Sequence, residues 1–275
     1  MHNSGLVIFD RFTLENGNAV VFAKSGAGKS FTVKLEALRS MMMGTDVFII
    51  DPENEYQRMC EAVGGAYIKL SLNSPTRINP FDLPKVIDTE DAEDALRSNL
   101  ITLHGLLRLM MGGAVAQMSN TGNATVNPAM SPEEEADLDA ALIETYAKAG
   151  ITNDPLTHGS IPPTIGDLYE TLLHMGGSGP NLAQRLRKYT TGTFAGIFSQ
   201  PSNVDVNNPM VVFNIRDLED ELRPVAMYIV LNYIWNKTKA DQKKRILVVD
   251  EAWQLMKYED SANFLFSLAK RARKY

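Results

Sequence analysis

The sequence has almost no cysteine and little histidine. Its 275 residues hold one cysteine, Cys60, so no disulfide can form within the chain, which suits a reducing compartment. The four histidines (His2, His104, His158, His174) lie far apart with no thiol nearby. No metal-ligand spacing results, and each reads as a surface or satisfied core residue. No apolar run approaches the roughly 20 residues that span a bilayer, and no leader-like segment precedes the first apolar run, so a cytoplasmic location is expected. A basic excess is missing too. With 33 acidic and 27 basic residues the net charge is −6, which gives no reason to expect nucleic acid as a partner. What remains is an ordinary soluble composition, 44% hydrophobic and 22% charged, long enough for one substantial core with a smaller satellite.

Four short apolar runs stand out, at 19–23, 47–50, 211–215 and 246–249. None alternates polar with apolar, so they read as parallel strands covered on both faces. Helical stripes lie between them. Phe31, Leu35, Leu38 and Met42 form one, with Gly44 placed to end the helix. Leu222, Val225, Ala226, Ile229, Val230 and Tyr233 form another. A helix after the last run has Asp260 or Ser261 as its cap and Phe264, Leu265, Leu268 and Ala272 as its buried face. This order predicts a three-layer α/β sheet with right-handed crossovers.

About 160 residues separate the second run from the third, far beyond an ordinary crossover. The segment reads as a mainly helical inserted domain at 88–205, dividing the α/β core into 1–87 and 206–275. Leu96, Leu100, Leu103, Leu107 and Met110 mark one of its helices. Ser131-Pro132-Glu133-Glu134 opens a second, with Ser as cap and Pro at the first helical position. Thr164 and Asp167 open a third that closes at Gly176-Gly177. The stretch 112–130, rich in Gly, Asn, Ser and Thr, reads as a mobile loop. Residues 88–190 hold 14 acids against six bases, so this part is a poor match for a phosphate backbone.

The sharpest motif is Ala23-Lys24-Ser25-Gly26-Ala27-Gly28-Lys29-Ser30, entered by an apolar run and left by an amphipathic helix. That is the setting of a phosphate-binding loop. Gly26 and Gly28 let the backbone N–H groups of residues 25–31, Ser25, Ala27 and Phe31 included, turn toward phosphate oxygens, and the helix N-terminus adds partial positive charge. Lys29 can reach the β- and γ-phosphates of ATP, and the Ser30 hydroxyl can ligate Mg²⁺. Ala23 replaces the pattern's first glycine and is small enough for a strand end. The run 246–249 ends in Asp250-Glu251, at the sheet edge where α/β folds bind ligands. Alone it is a weak pattern; paired with the loop it points to Asp250 as Mg²⁺ holder and Glu251 as the group that polarises an attacking water. An acid pair there favours hydrolysis over phosphoryl transfer to a small molecule.

Two further motifs keep two readings each. Asp51-Pro52-Glu53-Asn54-Glu55-Tyr56 either touches the nucleotide site or is a turn in which Asp51 caps the next helix. Arg271-Ala272-Arg273-Lys274 either offsets a helix C-terminus or supplies an arginine to a neighbour's γ-phosphate. Trp253, Met256 and the methionines at 41–43 read as core or interface packing.

Together with Ile78-Asn79-Pro80-Phe81, Phe213-Asn214-Ile215-Arg216-Asp217-Leu218 and Val249-Asp250-Glu251-Ala252-Trp253, these motifs resemble, in order and spacing, the large ATPase subunit of type IV secretion and conjugation systems (the TraC/TrbE group of the HerA–FtsK branch of P-loop motors). The resemblance implies a RecA-like motor domain with a helical insert, a homo-oligomer with a hexamer as the expected form, and a place with other secretion components at the cytoplasmic face of the membrane. It also implies that Arg273 is a trans-acting arginine finger, with Ala272 where related motors carry Gly. In that family a further domain precedes the core and a further strand follows the finger helix, so this chain reads as a fragment whose independent turnover is open. Two alternatives remain: a nucleotide-binding module without turnover, and a DNA translocase, against which the acidic insert weighs.

Overall fold

The structure, a computed structural model, describes residues 10–84, 94–112, 130–241 and 243–272, with the backbone alone at 115–118 and 124–127. In chain order the elements are α1 (Lys29–Met42), β1 (Asp46–Asp51), α2 (Gln57–Ala62), β2 (Ala66–Lys69), α3 (Ala95–Met110), β3 (Val115–Met118), β4 (Ala124–Asn127), α4 (Pro132–Lys148), α5 (Ile165–His174), α6 (Gly179–Thr190), β5 (Met210–Asn214), α7 (Arg223–Ala240), β6 (Arg245–Val249), α8 (Trp253–Met256) and α9 (Glu259–Ala272).

Among the described residues the main sheet has four parallel strands in the order β2-β5-β1-β6. Successive side chains of a strand point to opposite faces, and here both sets are apolar. Phe48, Ile50, Val211 and Phe213 enter one core cluster, Val47, Ile49, Met210 and Val212 the other. Ala37 of α1 with Tyr56 and Cys60 at α2 cover the second face. The first is covered by α3, α7 and α9, whose Leu103, Val230 and Leu268 share its cluster. The sheet therefore has the three layers that its unalternating runs imply. Helix α7 is buried almost all round rather than along one stripe, from Pro224 through Leu231, as a helix between a sheet and an insert must be.

The insert's signals are local and strong. The Ser131 hydroxyl accepts the Glu134 N–H at 3.2 Å and the Glu134 carboxylate accepts the Ser131 N–H at 2.8 Å, with Pro132 at the first helical position. The Asp167 carboxylate accepts the Thr164 N–H at 2.7 Å at the start of α5. Helix α6 follows without having been anticipated, because it opens on the turn formers Gly179-Pro180-Asn181; Leu182, Ala183, Leu186 and Tyr189 bury its inner face. Leu138, Leu142, Leu168 and Leu186 of the insert join the same cluster as Phe48 and Phe213 of the sheet.

Several expectations need correction. The run 19–23 is no strand: residues 16–24 carry no regular structure, with Val20 75% and Phe22 90% exposed. A strand exists only through a ladder partner, and among the described residues β6 pairs with β1 alone and stays half-buried along its length. On α1 the line packed on the sheet is the buried Ala37 with the half-buried Val33 and Met41; Phe31, Leu35 and Met42 face solvent, so the apolar stripe picks the wrong face. Neither Asp260 nor Ser261 caps α9. Asp260 pairs with Arg108 at 3.5 Å, and the Ser261 hydroxyl donates to the carbonyls of Leu255 and Tyr258, tying α8 to α9. Of the stretch expected as a loop, 115–118 and 124–127 form an antiparallel ladder; 113–114, 119–123 and 128–129 lie outside the described residues. Strand β2 was missed, being four residues of which none is buried.

Candidate functional site

The loop 24–28 turns on itself through the Ala27 N–H, which donates to the Lys24 carbonyl at 3.0 Å. Two glycines make the turn possible: Gly26 has φ 76° and Gly28 φ 90°, the left-handed region that side chains disfavour. A Cβ at either would meet nothing within 4 Å, so the demand for glycine comes from the backbone angle, not from crowding. Helix α1 begins directly after, and its first internal bond runs from the Thr32 N–H to the Gly28 carbonyl at 2.9 Å. The N–H groups of Lys29, Ser30 and Phe31 therefore have no partner within the helix. The loop from Ser25 to Gly28 is exposed, as is the Phe31 side chain, while Lys29 and Ser30 are half-buried.

Strand β6 delivers two carboxylates to this loop. The Lys29 ammonium lies 2.7 Å from Asp250 Oδ1 and 3.2 Å from Glu251 Oε1. Residues 221 positions apart in the chain thus meet in one ion cluster. The Glu251 backbone is left-handed, at φ 51°, a conformation unusual for a side-chain-bearing residue and one that occurs at functional turns. The turn lets the Glu251 N–H donate to Asp250 Oδ1 at 3.0 Å. Trp253 donates its indole N–H to Glu251 Oε2. The hydrogen bond from Trp253, and then that from Lys29, hold the Glu251 carboxyl below its usual range. The Asp250 carboxylate, followed by the Glu251 carboxylate, raises the Lys29 pKa against the opposing effect of burial.

Asp51 lies next to this cluster. It closes β1, the strand paired with β6, and the Asp250 N–H donates to the Ile50 carbonyl at 3.2 Å. Its carboxylate is fully buried and accepts the N–H groups of Glu55 and Tyr56, each at 2.9 Å. Of its two open readings the hydrogen bonds show the turn, but not the cap: Tyr56, not Asp51, is the N-cap residue of α2. Burial raises its pKa, and the Asp250 charge adds to the rise. Asn54, at φ 60°, accepts from the Tyr67 hydroxyl at 2.6 Å and from the Asn214 amide at 3.3 Å, linking the turn to β2 and β5.

The structure thus brings together Lys29, Asp250 and Glu251 and places Ser25, Gly26, Ala27, Gly28, Ser30 and Phe31 on the adjoining loop and first helical turn. Arg273 and Lys274 lie outside the described residues. Arg271 stacks over Trp235 at 5.3 Å and donates to the Ser267 carbonyl on its own helix. Of the two packing readings of Trp253, core and interface, the core is excluded, since the residue is 52% exposed; within the chain it holds Glu251. Its indole N–H, two residues from a candidate acid, is the signal in the sequence, since that donor ordinarily finds a partner. Met256, Met42 and Met43 are exposed as well, at 63%, 85% and 84%.

A glycine-turned loop at a helix N-terminus, with its lysine on two acids from a neighbouring parallel strand, is the arrangement of a P-loop NTPase. Comparison with known families agrees: residues 7–106 and 180–275 match the TraG P-loop domain. The chain belongs to that family. TraC of Escherichia coli (strain K12) is 24% identical over 267 residues, 92% of this chain but 27% of TraC. The chain therefore spans about a quarter of that relative's length. The structure of VirB4 from Thermoanaerobacter pseudethanolicus superposes with a TM-score of 0.78 at 31% identity, over 98% of this chain and 72% of the VirB4 chain. The fold is thus a RecA-like P-loop NTPase, and the chain falls in the TraC and VirB4 group of type IV secretion and conjugation ATPases that its motifs resemble. Among the described residues no helix is long and apolar enough to cross a membrane.

Proposed function

We propose that this TraG-family domain binds ATP at the loop 25–31 and hydrolyses it, as the motor of a type IV secretion or conjugation system. The observation that carries the reading is the meeting of Lys29 with Asp250 and Glu251. Without nucleotide the lysine is neutralised by two carboxylates; a triphosphate competes for the same ammonium and offers its oxygens to the free N–H groups of α1. Hydrolysis then requires a water aligned with the γ-phosphorus. The Glu251 carboxylate accepts its proton as the new P–O bond forms and the bridging oxygen leaves with ADP. Asp250 and the Ser30 hydroxyl are hard oxygen donors of the kind that suit Mg²⁺ and would hold it. When bound, that ion neutralises charge on the β- and γ-phosphates.

The resemblance supplies the remainder of the proposal: assembly into a homo-oligomer, hexameric by expectation, association with other secretion components at the cytoplasmic face of the membrane, and Arg273 reaching a neighbour's site. An inserted unit at 88–205 between core segments 1–87 and 206–275 belongs to the same proposal; the family match favours its middle, leaving out 107–179 while covering 88–106 and 180–205. A second reading, binding without turnover by this chain alone, is favoured by one observation: the run 19–23 that leads into the loop is exposed and, among the described residues, unpaired.

Lys29→Ala tests the assignment that both readings share. Fluorescent-nucleotide titration should show affinity lost or severely weakened, because the loop's cation is gone. Unchanged affinity in a folded variant would sink the phosphate-loop assignment. Hydrolysis by the unmutated chain then separates the motor from the passive module.

A further inference from the structure

Glu251 has two carboxylate oxygens, and the structure gives them different partners. Oε1 faces Lys29 at 3.2 Å, and Oε2 accepts the indole N–H of Trp253. The first contact is temporary on the hydrolytic reading, because phosphate draws the lysine away. The second is built into the turn. Gln254 donates to the Glu251 carbonyl at 3.0 Å, starting α8 directly after the left-handed residue. Leu255, fully buried, and Gln254, 7% exposed, fix α8 from below, while the Trp253 ring stays outside at 52% exposure. The Lys257 ammonium lies 4.4 Å from the ring centroid and keeps the indole in place. An indole held by its backbone below and a cation above has one polar atom, and that atom points at Glu251.

We propose that Trp253 is a positioning residue for Glu251: its indole N–H anchors Oε2, so that Oε1 stays turned toward the phosphate loop when Lys29 moves to phosphate. The inference rests on the hydrolytic reading above for its consequence, though not for its geometry. Without the anchor, a carboxylate on a three-torsion side chain loses its orientation when the lysine departs, and a misplaced base acts poorly even where nucleotide binds well.

Nuclear magnetic resonance tests the geometry without any turnover. The chain has two tryptophans, hence two indole N–H signals, and Trp253→Phe identifies one of them. That signal should lie downfield and exchange slowly, as a donor to a carboxylate does, and move upfield in Glu251→Ala. It should keep its position when a non-hydrolysable ATP analogue with Mg²⁺ is added. A signal indifferent to Glu251→Ala, or one lost on adding the analogue, overturns the proposal even if the chain never hydrolyses ATP. In a hydrolysing protein, Trp253→Phe should lower kcat roughly ten- to a hundred-fold, the worth of one hydrogen bond to a charged group, with KM little changed. Trp253→His, which keeps a ring N–H, should recover part of the loss, and Trp253→Phe should add nothing in a Glu251→Gln background. Full kcat in Trp253→Phe, or an additive loss in the double variant, overturns it equally, whereas an unmutated chain that binds but never hydrolyses removes only the hydrolytic reading.

Discussion

Two neighbouring strands end in acids at the same edge of the sheet, and the acids have opposite fates. Asp51 at the end of β1 is fully buried, with both carboxylate oxygens engaged by main-chain N–H groups at 2.9 Å. Asp250 after β6 is also buried, at 7% exposure, yet its Oδ1 meets the Lys29 ammonium at 2.7 Å. What differs is the course of the chain afterwards. After Asp51 it bends back through Pro52 and the left-handed Asn54, bringing the N–H groups of Glu55 and Tyr56 onto the carboxylate. After Asp250 the left-handed residue comes at once, at Glu251, and sets a second carboxylate beside the same lysine. An acid engaged by its own turn serves the edge; one engaged by a displaceable cation is, on the proposed function, the one that does chemistry.

The largest expected effect concerns Arg273, which lies outside the described residues. If the Asp250 end is a shared site, Arg273→Ala should leave ATP affinity nearly intact and lower turnover by as much as about 10³–10⁵-fold. Arg273→Ala subunits keep their phosphate loops and Lys29→Ala subunits keep Arg273, so a mixture should regain activity that neither shows alone. Silence in a mixture shown to co-assemble would mean that the arginine acts within its own chain or simply ends a helix.

Next in size is the direct contrast between the two ends. Glu251→Gln should keep nucleotide affinity and lose hydrolysis by about 10²–10⁴-fold, the usual worth of a general base. Asp51→Asn should do the reverse, lowering stability with kcat per folded molecule little changed. Steady-state turnover beside urea melts measures both. Equal losses of turnover at the two positions would erase the distinction drawn from the hydrogen bonds.

How much of this was legible beforehand varied with how local the signal was. The phosphate loop, the capping box at Ser131 and the apolar strands β1, β5 and β6 are written in a few adjacent residues, and they appear where those residues put them. The face of α1 was not legible, because Phe31, Leu35 and Met42 satisfy the helical period as well as Val33, Ala37 and Met41 do, and only the sheet beneath decides. The run 19–23 carries a strand's composition but has no ladder partner among the described residues, which no local pattern records. That Lys29, Asp250 and Glu251 belong together was legible, but not their geometry. The role of Asp51 depends on where two N–H groups point, and that of Trp253 on a turn two residues earlier.

The smallest effect offers the sharpest test, because it has a sign. Burial raises the Asp51 carboxyl above its usual 3.8, so the folded state takes up that proton more readily than the unfolded chain. Stability should rise as pH falls from above the folded pKa toward 3.8. Glu251 is the opposite case, held below its usual 4.5 by Trp253 and Lys29. Its contribution is present above 4.5 and should be lost as pH falls through the lowered folded value. Urea melts of the unmutated chain beside Asp51→Asn and Glu251→Gln, from about pH 7 down to about pH 4, read both slopes. The stability difference from Asp51→Asn should grow in favour of the unmutated chain on acidification, and the difference from Glu251→Gln should shrink once pH drops below 4.5. Any fixed loss from replacing an oxygen by an amide at Asp51 shifts its curve without tilting it, so the tilt reports the carboxyl's environment alone. Curves that tilt the same way would mean that the two strand ends share one environment, and the contrast between a structural acid and a chemical one would fall.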